Sequence, residues 1–138
     1  MLAGASATAE WRVLHHISLA VTDLERSAAF YDASLTTLGY VRVWANASAV
    51  GYGNPGGDDR FAVKLRSAQL IPPGPGFHLA FAAPSRDAVV QFHQAALGHG
   101  GKDNGAPGLR PNYGENYFTA FVTDPDGYQI EAVNDDPV

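Results

Sequence analysis

An α+β fold built from two copies of one βαβββ module is predicted by three features of this 138-residue sequence. The chain contains an internal repeat, the signature of a fold built from repeated units. Each copy begins with alternating large and small apolar residues, the pattern of a strand, and continues with apolar residues at helical spacing. Turn residues then divide the rest of each copy into short strands. Together these features predict two equivalent modules.

The repeat has a constant offset of 62 residues, from His16 to His78. The same offset relates three further pairs: Phe30 and Phe92, Leu35 and Leu97, Gly39 and Gly101. A shared offset through a strand, a helix and the helix end is hard to produce by chance. We therefore predict modules over about residues 13–70 and 75–138 of a single domain spanning 13–138, after a flexible extension over residues 1–12.

Both modules carry signals for where their helices begin. In the first, Thr22 and Glu25 have the spacing of a capping box, in which side chains satisfy the free amides of the first turn. In the second, Ser85 follows a proline and is the predicted N-cap. The predicted buried stripes are Leu24, Ala28, Tyr31, Leu35 and Leu38 in the first helix, and Ala88 or Val89, Phe92 and Ala96 in the second.

Two segments outside the helices are predicted from turn chemistry. Asp124-Pro-Asp-Gly127 predicts a tight hairpin between the last two strands, because proline presets φ and glycine supplies a positive φ. A poorly defined strand is predicted before Tyr113. The polar, glycine-rich stretch from Lys102 to Gly114 also predicts a long loop, and loops of this length are either functional or simply mobile. Within it, Arg110, Asn112 and Tyr113 are candidate substrate-binding residues.

Composition and charge exclude several classes of function. The chain has no cysteine, which excludes disulfides, iron–sulfur clusters and thiol nucleophiles. Its net charge of −5, without a cluster of basic residues, argues against nucleic acid as a partner. No apolar run approaches the ~20 residues of a membrane-spanning helix, so we expect no membrane association and a cytoplasmic location.

A metal site is predicted by His16, His78 and Glu131. His16 and His78 lie on the small-residue sides of the two repeated strands, and Glu131 lies on the small-residue side of the last strand. Imidazole and carboxylate suit one divalent ion of zinc, nickel, iron, manganese or cobalt, and three ligands leave positions open for a substrate. A hydrogen-bonded structural histidine is the alternative for each strand position. Tyr117, on the neighbouring strand, is a candidate catalytic residue.

At these residues the sequence resembles the vicinal oxygen chelate superfamily, which includes glyoxalases, extradiol dioxygenases and bleomycin-resistance proteins. The resemblance lies in His16-Ile-Ser-Leu-Ala-Val-Thr-Asp-Leu-Glu-Arg-Ser-Ala-Ala-Phe-Tyr31, His78-Leu-Ala-Phe81 and Asp124-Pro-Asp-Gly-Tyr-Gln-Ile-Glu131. It implies an open, cupped mixed sheet with the helices outside, and it matches His16, His78 and Glu131 to the metal ligands of the family. The fourth ligand typical of glyoxalase I is missing, since residues 60–66 hold neither carboxylate nor histidine.

Two functions follow as expectations from this resemblance. The first is a metal-dependent enzyme that chelates a small oxygenated substrate, with lyase, isomerase, dioxygenase or thiol-transferase chemistry. The alternative is a binding protein of the bleomycin-resistance kind, without catalysis. The resemblance also implies a homodimer, in which His16 of one chain meets His78 and Glu131 of the other if the site is shared between chains.

Overall fold

Each module folds into its own four-stranded mixed sheet with one helix, in a computed structural model that describes residues 12–66 and 73–138. The first module contains β1 (Ile17–Val21), α1 (Leu24–Thr36), β2 (Val41–Ala45), β3 (Ala49–Gly53) and β4 (Phe61–Leu65). The second contains β5 (Leu79–Ala82), α2 (Arg86–Gly98), β6 (Lys102–Leu109), β7 (Phe118–Thr123) and β8 (Gln129–Asn134). The predicted α+β class with two βαβββ modules is confirmed. Residues 1–11 of the predicted extension lie outside the described ranges.

The two sheets have the same topology. Their strand orders are β1-β4-β3-β2 and β5-β8-β7-β6, so the first strand of each module pairs in parallel with the last. Within one chain the expected cupped sheet therefore consists of two four-stranded sheets. This pairing puts β1 and β5 at sheet edges and sets Ala80 of β5 directly opposite Glu131 of β8.

The apolar stripes of both helices are buried as predicted, apart from Leu24, which is only partly buried. Ser85 is confirmed as the N-cap of α2, where its side chain accepts from the Ala88 amide at 3.1 Å. The prediction of a capping box formed by Thr22 and Glu25 at the start of α1 is wrong. Asp23 is the N-cap there and accepts from the Arg26 amide at 3.0 Å. Thr22 instead donates its hydroxyl to Asp126 of the second module, at 2.6 Å.

Helix α1 is attached to the β7–β8 turn of the other module. The Tyr31 hydroxyl, fully buried, donates to Asp124 Oδ2 at 2.6 Å. Asp126 accepts from Arg26 Nη2 at 2.9 Å in addition to Thr22. The predicted hairpin turn is confirmed, with the Gly127 amide donating to the Asp124 carbonyl at 3.0 Å and Gly127 at φ +99°. One turn thus closes a hairpin and holds the two modules together.

The loop predicted over Lys102–Gly114 is wrong for most of its length, because Lys102–Leu109 forms β6. This strand pairs antiparallel with β7, with register shifts between Asp103 and Gly105 and again between Gly105 and Gly108. As a mostly exposed edge strand, it needs no alternation of apolar and polar residues, so the sequence predicted the strand before Tyr113 without its bounds. Only the segment 110–117 connects β6 to β7. In the part of the chain that the structure describes, no helix has the length and apolarity needed to cross a membrane.

Candidate metal centre

Glu131 is the best-defined polar side chain of the candidate site. It lies on β8 and is buried, with only 1% of its surface exposed. Its Oε2 accepts two hydroxyl donors, Tyr117 at 2.6 Å and Thr119 at 2.7 Å. Both hydroxyls donate to the same oxygen, so the other carboxylate oxygen, Oε1, remains available to other groups. A buried carboxylate fixed in this way is oriented before any ligand arrives.

His78 faces that remaining oxygen. Its Nε2 lies 3.2 Å from Glu131 Oε1, and its side chain is about half exposed. Two donors that bind one tetrahedral ion at ordinary zinc distances lie roughly 3.3 Å apart. The donor set of one imidazole and one carboxylate also suits a divalent transition metal. His78 and Glu131 therefore fit a metal as two ligands.

His16 is not brought into this pair within one chain. It immediately precedes β1 in the other module, and its Nδ1 lies 2.9 Å from Nδ1 of His15. Over residues 12–66 and 73–138, no group of three His, Asp or Glu side chains comes close enough to hold an ion. The structure thus assembles two of the three predicted ligands.

Tyr117, predicted as catalytic, contacts Glu131 directly. Burial, together with the neighbouring Glu131 carboxylate, raises the pKa of Tyr117 well above its ordinary value. The phenol consequently stays protonated near neutral pH and donates to Glu131 rather than acting as a base. Tyr113 packs edge-on against Tyr117, with ring centroids 5.4 Å apart, and is largely exposed.

Arg110 continues the β6–β7 ladder beyond the last strand pair, since its amide donates to the Tyr117 carbonyl at 2.9 Å. Its guanidinium lies over the Phe121 ring, 5.7 Å from the centroid. Phe121 is the cross-strand partner of Glu131, so both side chains lie on one face of the sheet. Asn112 lies exposed in the turn that follows Arg110, without a contact that would place it in the site.

Thr119 and Phe121 are site residues that were not predicted from the sequence, and Trp44 is an unpredicted aromatic residue on the sheet of the first module. Period-two alternation from Tyr117 would have found Thr119 and Phe121, because residues 117, 119 and 121 share one strand face. The Trp44 ring lies over Gly51, where a Cβ would collide with it. Gly51 pairs with Ala62, and Ala62 pairs with Ser18, so this ring lies on the small-residue face of the β1 sheet.

A cavity of about 410 Å³ lies at the junction of the modules. It extends between the start of β1 and the edge strand β5, and the floor is aromatic and aliphatic. His16 and Arg60 contribute to its rim, whereas His78 and Glu131 do not line it. Its volume is in the range of small-molecule pockets. The apolar part of its lining consists mainly of Leu14, Ile17, Leu35, Tyr40, Tyr52, Phe61, Leu79 and Phe81.

The family follows from comparison with known proteins. Residues 13–132 match the model described as the Glyoxalase/Bleomycin resistance protein/Dioxygenase superfamily. The chain belongs to this superfamily, as the resemblance of its motifs implied. No match was found among curated proteins.

Solved structures agree with this assignment. A glyoxalase/bleomycin resistance protein from Albidiferax ferrireducens T118 is 36% identical with a TM-score of 0.75, and the match covers 88% of this chain and 98% of that one. A glyoxalase-related enzyme from Fulvimarina pelagi is 22% identical with a TM-score of 0.67, over 89% and 88% of the two chains. A bleomycin resistance determinant encoded on transposon Tn5 is 20% identical, with a TM-score of 0.59 over 87% and 95%. The last two matches are evidence for the fold alone.

Proposed function

We propose that this protein is a metal-dependent enzyme that binds a small oxygenated substrate through two of its oxygens. The observation that carries the proposal is the His78–Glu131 pair, with donor atoms 3.2 Å apart and the carboxylate held by two hydroxyls. Lyase, isomerase, dioxygenase and thiol-transferase reactions all suit such a site.

Four residues have separate roles in the proposed site. His78 and Glu131 would hold one divalent ion of zinc, nickel, iron, manganese or cobalt. That ion would supply Lewis acidity, which stabilises negative charge developing on a substrate oxygen. Thr119 and Tyr117 orient the carboxylate, and the Tyr117 hydroxyl remains a proton donor to Glu131 near neutral pH.

The third ligand, His16, would come from a second copy of the chain in a homodimer. β1 and β5 are both edge strands, so each has one side without a strand partner among the described residues. Unpaired strand edges are templates for pairing with another chain. His16 and His78 each immediately precede one of these edge strands, so a parallel, in-register pairing of β1 with β5 of a second copy would bring them together.

Metal analysis tests the proposal directly. We expect about one divalent ion per chain in the wild type after reconstitution, and loss of most of it in His78→Ala, because His16 and Glu131 without the third ligand bind the ion weakly. His99→Ala is the matched control, since His99 is exposed and its Nδ1 contacts the Ala95 carbonyl at 2.8 Å. Elemental analysis of dialysed protein measures both. A wild type without metal after reconstitution would refute the proposal.

Tyr117→Phe is expected to weaken metal binding by about 10–100-fold without abolishing it, because one of the two hydroxyls that orient Glu131 is lost. Thr119 remains to hold Oε2. Competition with a chromophoric chelator measures the affinity. Tyr113→Phe is the control, because it removes a hydroxyl from the adjoining ring, which packs on Tyr117 without bonding Glu131. Equal affinities for Tyr117→Phe and wild type would show that Tyr117 does not position the ligand.

The module-junction cavity favours a second candidate function, a small-molecule binding protein without catalysis. Its largely apolar lining and volume of about 410 Å³ suit an apolar ligand and need no metal. A thermal-shift screen of metal-free protein distinguishes the two functions. Ligands that protect the metal-free protein, and lose that effect in Phe81→Ala but not in Glu131→Gln, would favour this candidate.

A further inference from the structure

We infer that Arg110 forms an anion subsite beside the His78–Glu131 pair. The ligand of this site would then carry a carboxylate or phosphoryl group in addition to the oxygens that it presents to the metal. The inference deepens the proposed function and takes the location of the site from it. The placement of Arg110, however, depends on contacts that involve no metal.

The Arg110 side chain turns back along β6 and is held in that position. Its Nη2 donates to the Ala106 carbonyl at 2.8 Å, and its guanidinium lies 5.7 Å from the Phe121 centroid. The hydrogen bond to a backbone carbonyl and the contact with the aromatic ring together restrict the rotamers of the side chain. The charge is therefore positioned before a ligand binds, which lowers the entropy cost of recognition.

Two glycines of β6 make room for this arrangement. A Cβ at Gly105 would lie 2.8 Å from Phe121 Cδ2 and 3.4 Å from Arg110 Nη2. A Cβ at Gly108 would lie 3.2 Å from Arg110 Nη1. A side chain at either position would press on the ring or the guanidinium. The glycine-rich composition of β6 thus fits the close approach of a cation and an aromatic ring to the backbone.

The positive charge of Arg110 has no carboxylate partner in the described residues. Its side-chain hydrogen bonds there go to backbone carbonyls, those of Ala106 and Leu109. A guanidinium has five N–H donors, so several remain for a ligand. Arg42 and Arg26 are neutralised by Asp32 and Asp126. Arg60, Arg66 and Arg86 also lack a carboxylate partner among the described residues, but Arg110 is the arginine that lies over Phe121, opposite Glu131.

This free charge lies on the face that carries the proposed metal ligands. Phe121, beneath the guanidinium, is directly opposite Glu131 across the β7–β8 pair. Opposed residues in such a pair have Cβ atoms ~5 Å apart. A small molecule bound at Glu131 and His78 therefore has the guanidinium within reach. The planar fork of arginine matches the two oxygens of a carboxylate or a phosphoryl group.

Three catechols test the inference by calorimetry. Catechol, 3,4-dihydroxybenzoate and 3,4-dihydroxyphenylphosphonate present the same pair of oxygens and differ in the added anion. Each is titrated into cobalt-reconstituted protein and into metal-free protein, for wild type and Arg110→Ala. Arg86→Ala is the matched control. Arg86 stacks on Phe118 of the same strand at 5.3 Å, but Phe118 faces the helix side.

We expect wild type to bind one of the anionic catechols roughly tenfold more tightly than catechol itself, because the guanidinium can form a bidentate, charge-assisted hydrogen bond with the added anion. The preferred anion identifies the ligand class. Arg110→Ala should lose the preference and keep its affinity for catechol, whereas Arg86→Ala should keep both. Comparing the same ligands across variants cancels their intrinsic chelating strengths. Arg110→Gln, which keeps the length of the side chain without its charge, replaces Arg110→Ala if that variant fails to fold.

The two proposals can fail separately. Absence of cobalt binding refutes the metal-dependent function, while the metal-free titrations still report the anion preference. If wild type and Arg110→Ala show the same ratio of affinities, or if neither binds any of the three compounds, the anion subsite is refuted. Metal content that is normal in both variants would then leave the proposed function standing.

Discussion

Heterodimers that combine a His16→Ala chain with a Glu131→Ala chain should recover about half of the wild-type metal content, although neither homodimer binds metal. A two-fold dimer has two equivalent sites, each built from His16 of one chain and the His78–Glu131 pair of the other. In the heterodimer one site lacks both residues and the other is complete. Coexpression with two different affinity tags, tandem purification and elemental analysis measure this content.

A heterodimer of His78→Ala and Glu131→Ala chains is the control for that experiment. His78 and Glu131 contact each other within one module, so each site of this heterodimer lacks one ligand and no recovery is expected. Recovery in both heterodimers would point to metal bound outside the proposed site instead of complementation. Recovery in neither would mean that each chain builds its own site, and the shared site would be abandoned.

The contrast between His16 and the His78–Glu131 pair shows how far the sequence could predict the site. Period-two alternation placed all three residues on the small-residue sides of their strands. The contact between His78 and Glu131 then follows from one module, since β5 and β8 are parallel neighbours. The position of His16 relative to them depends on how modules of one or two chains assemble, and no local pattern encodes that arrangement.

The difference between local patterns and long-range contacts also explains the errors in the predicted fold. Helical periodicity is local, so the buried faces of α1 and α2 were predicted. Thr22 failed as part of a cap because Asp126, 104 positions away, accepts its hydroxyl. Strand β6 was predicted only as a poorly defined piece before Tyr113, because it is stabilised by backbone pairing with β7, and glycine and polar residues form those hydrogen bonds as well as apolar ones. An exposed edge strand therefore shows little of the apolar–polar alternation from which strands are predicted.

Asp124→Ala is expected to lower the free energy of unfolding by ~3 kcal/mol or more, because three buried or partly buried donors lose their acceptor. These donors are the Tyr31 hydroxyl and the amides of Asp126 and Tyr128, at 2.6, 2.9 and 2.9 Å. Asp124→Asn keeps a carbonyl oxygen for the amides and should lose only ~1 kcal/mol. Urea unfolding measures both, with the exposed Asp58→Ala as a control within ~0.5 kcal/mol of wild type.

The pH dependence of the stability difference between wild type and Asp124→Asn distinguishes the effect of burying the carboxylate from the effect of its hydrogen bonds. Burial raises the pKa of Asp124 above its ordinary value of 3.8, against the opposing effect of the Tyr31 hydroxyl and the two amides. The folded state therefore binds a proton more readily than the unfolded state, so this group contributes stability that is complete below its unfolded pKa. That contribution is lost as the pH rises through the folded pKa. The difference in free energy of unfolding between wild type and Asp124→Asn should therefore shrink as the pH rises from the unfolded pKa of Asp124 through its folded pKa. A difference that grows instead would mean that the hydrogen bonds to the carboxylate outweigh its burial.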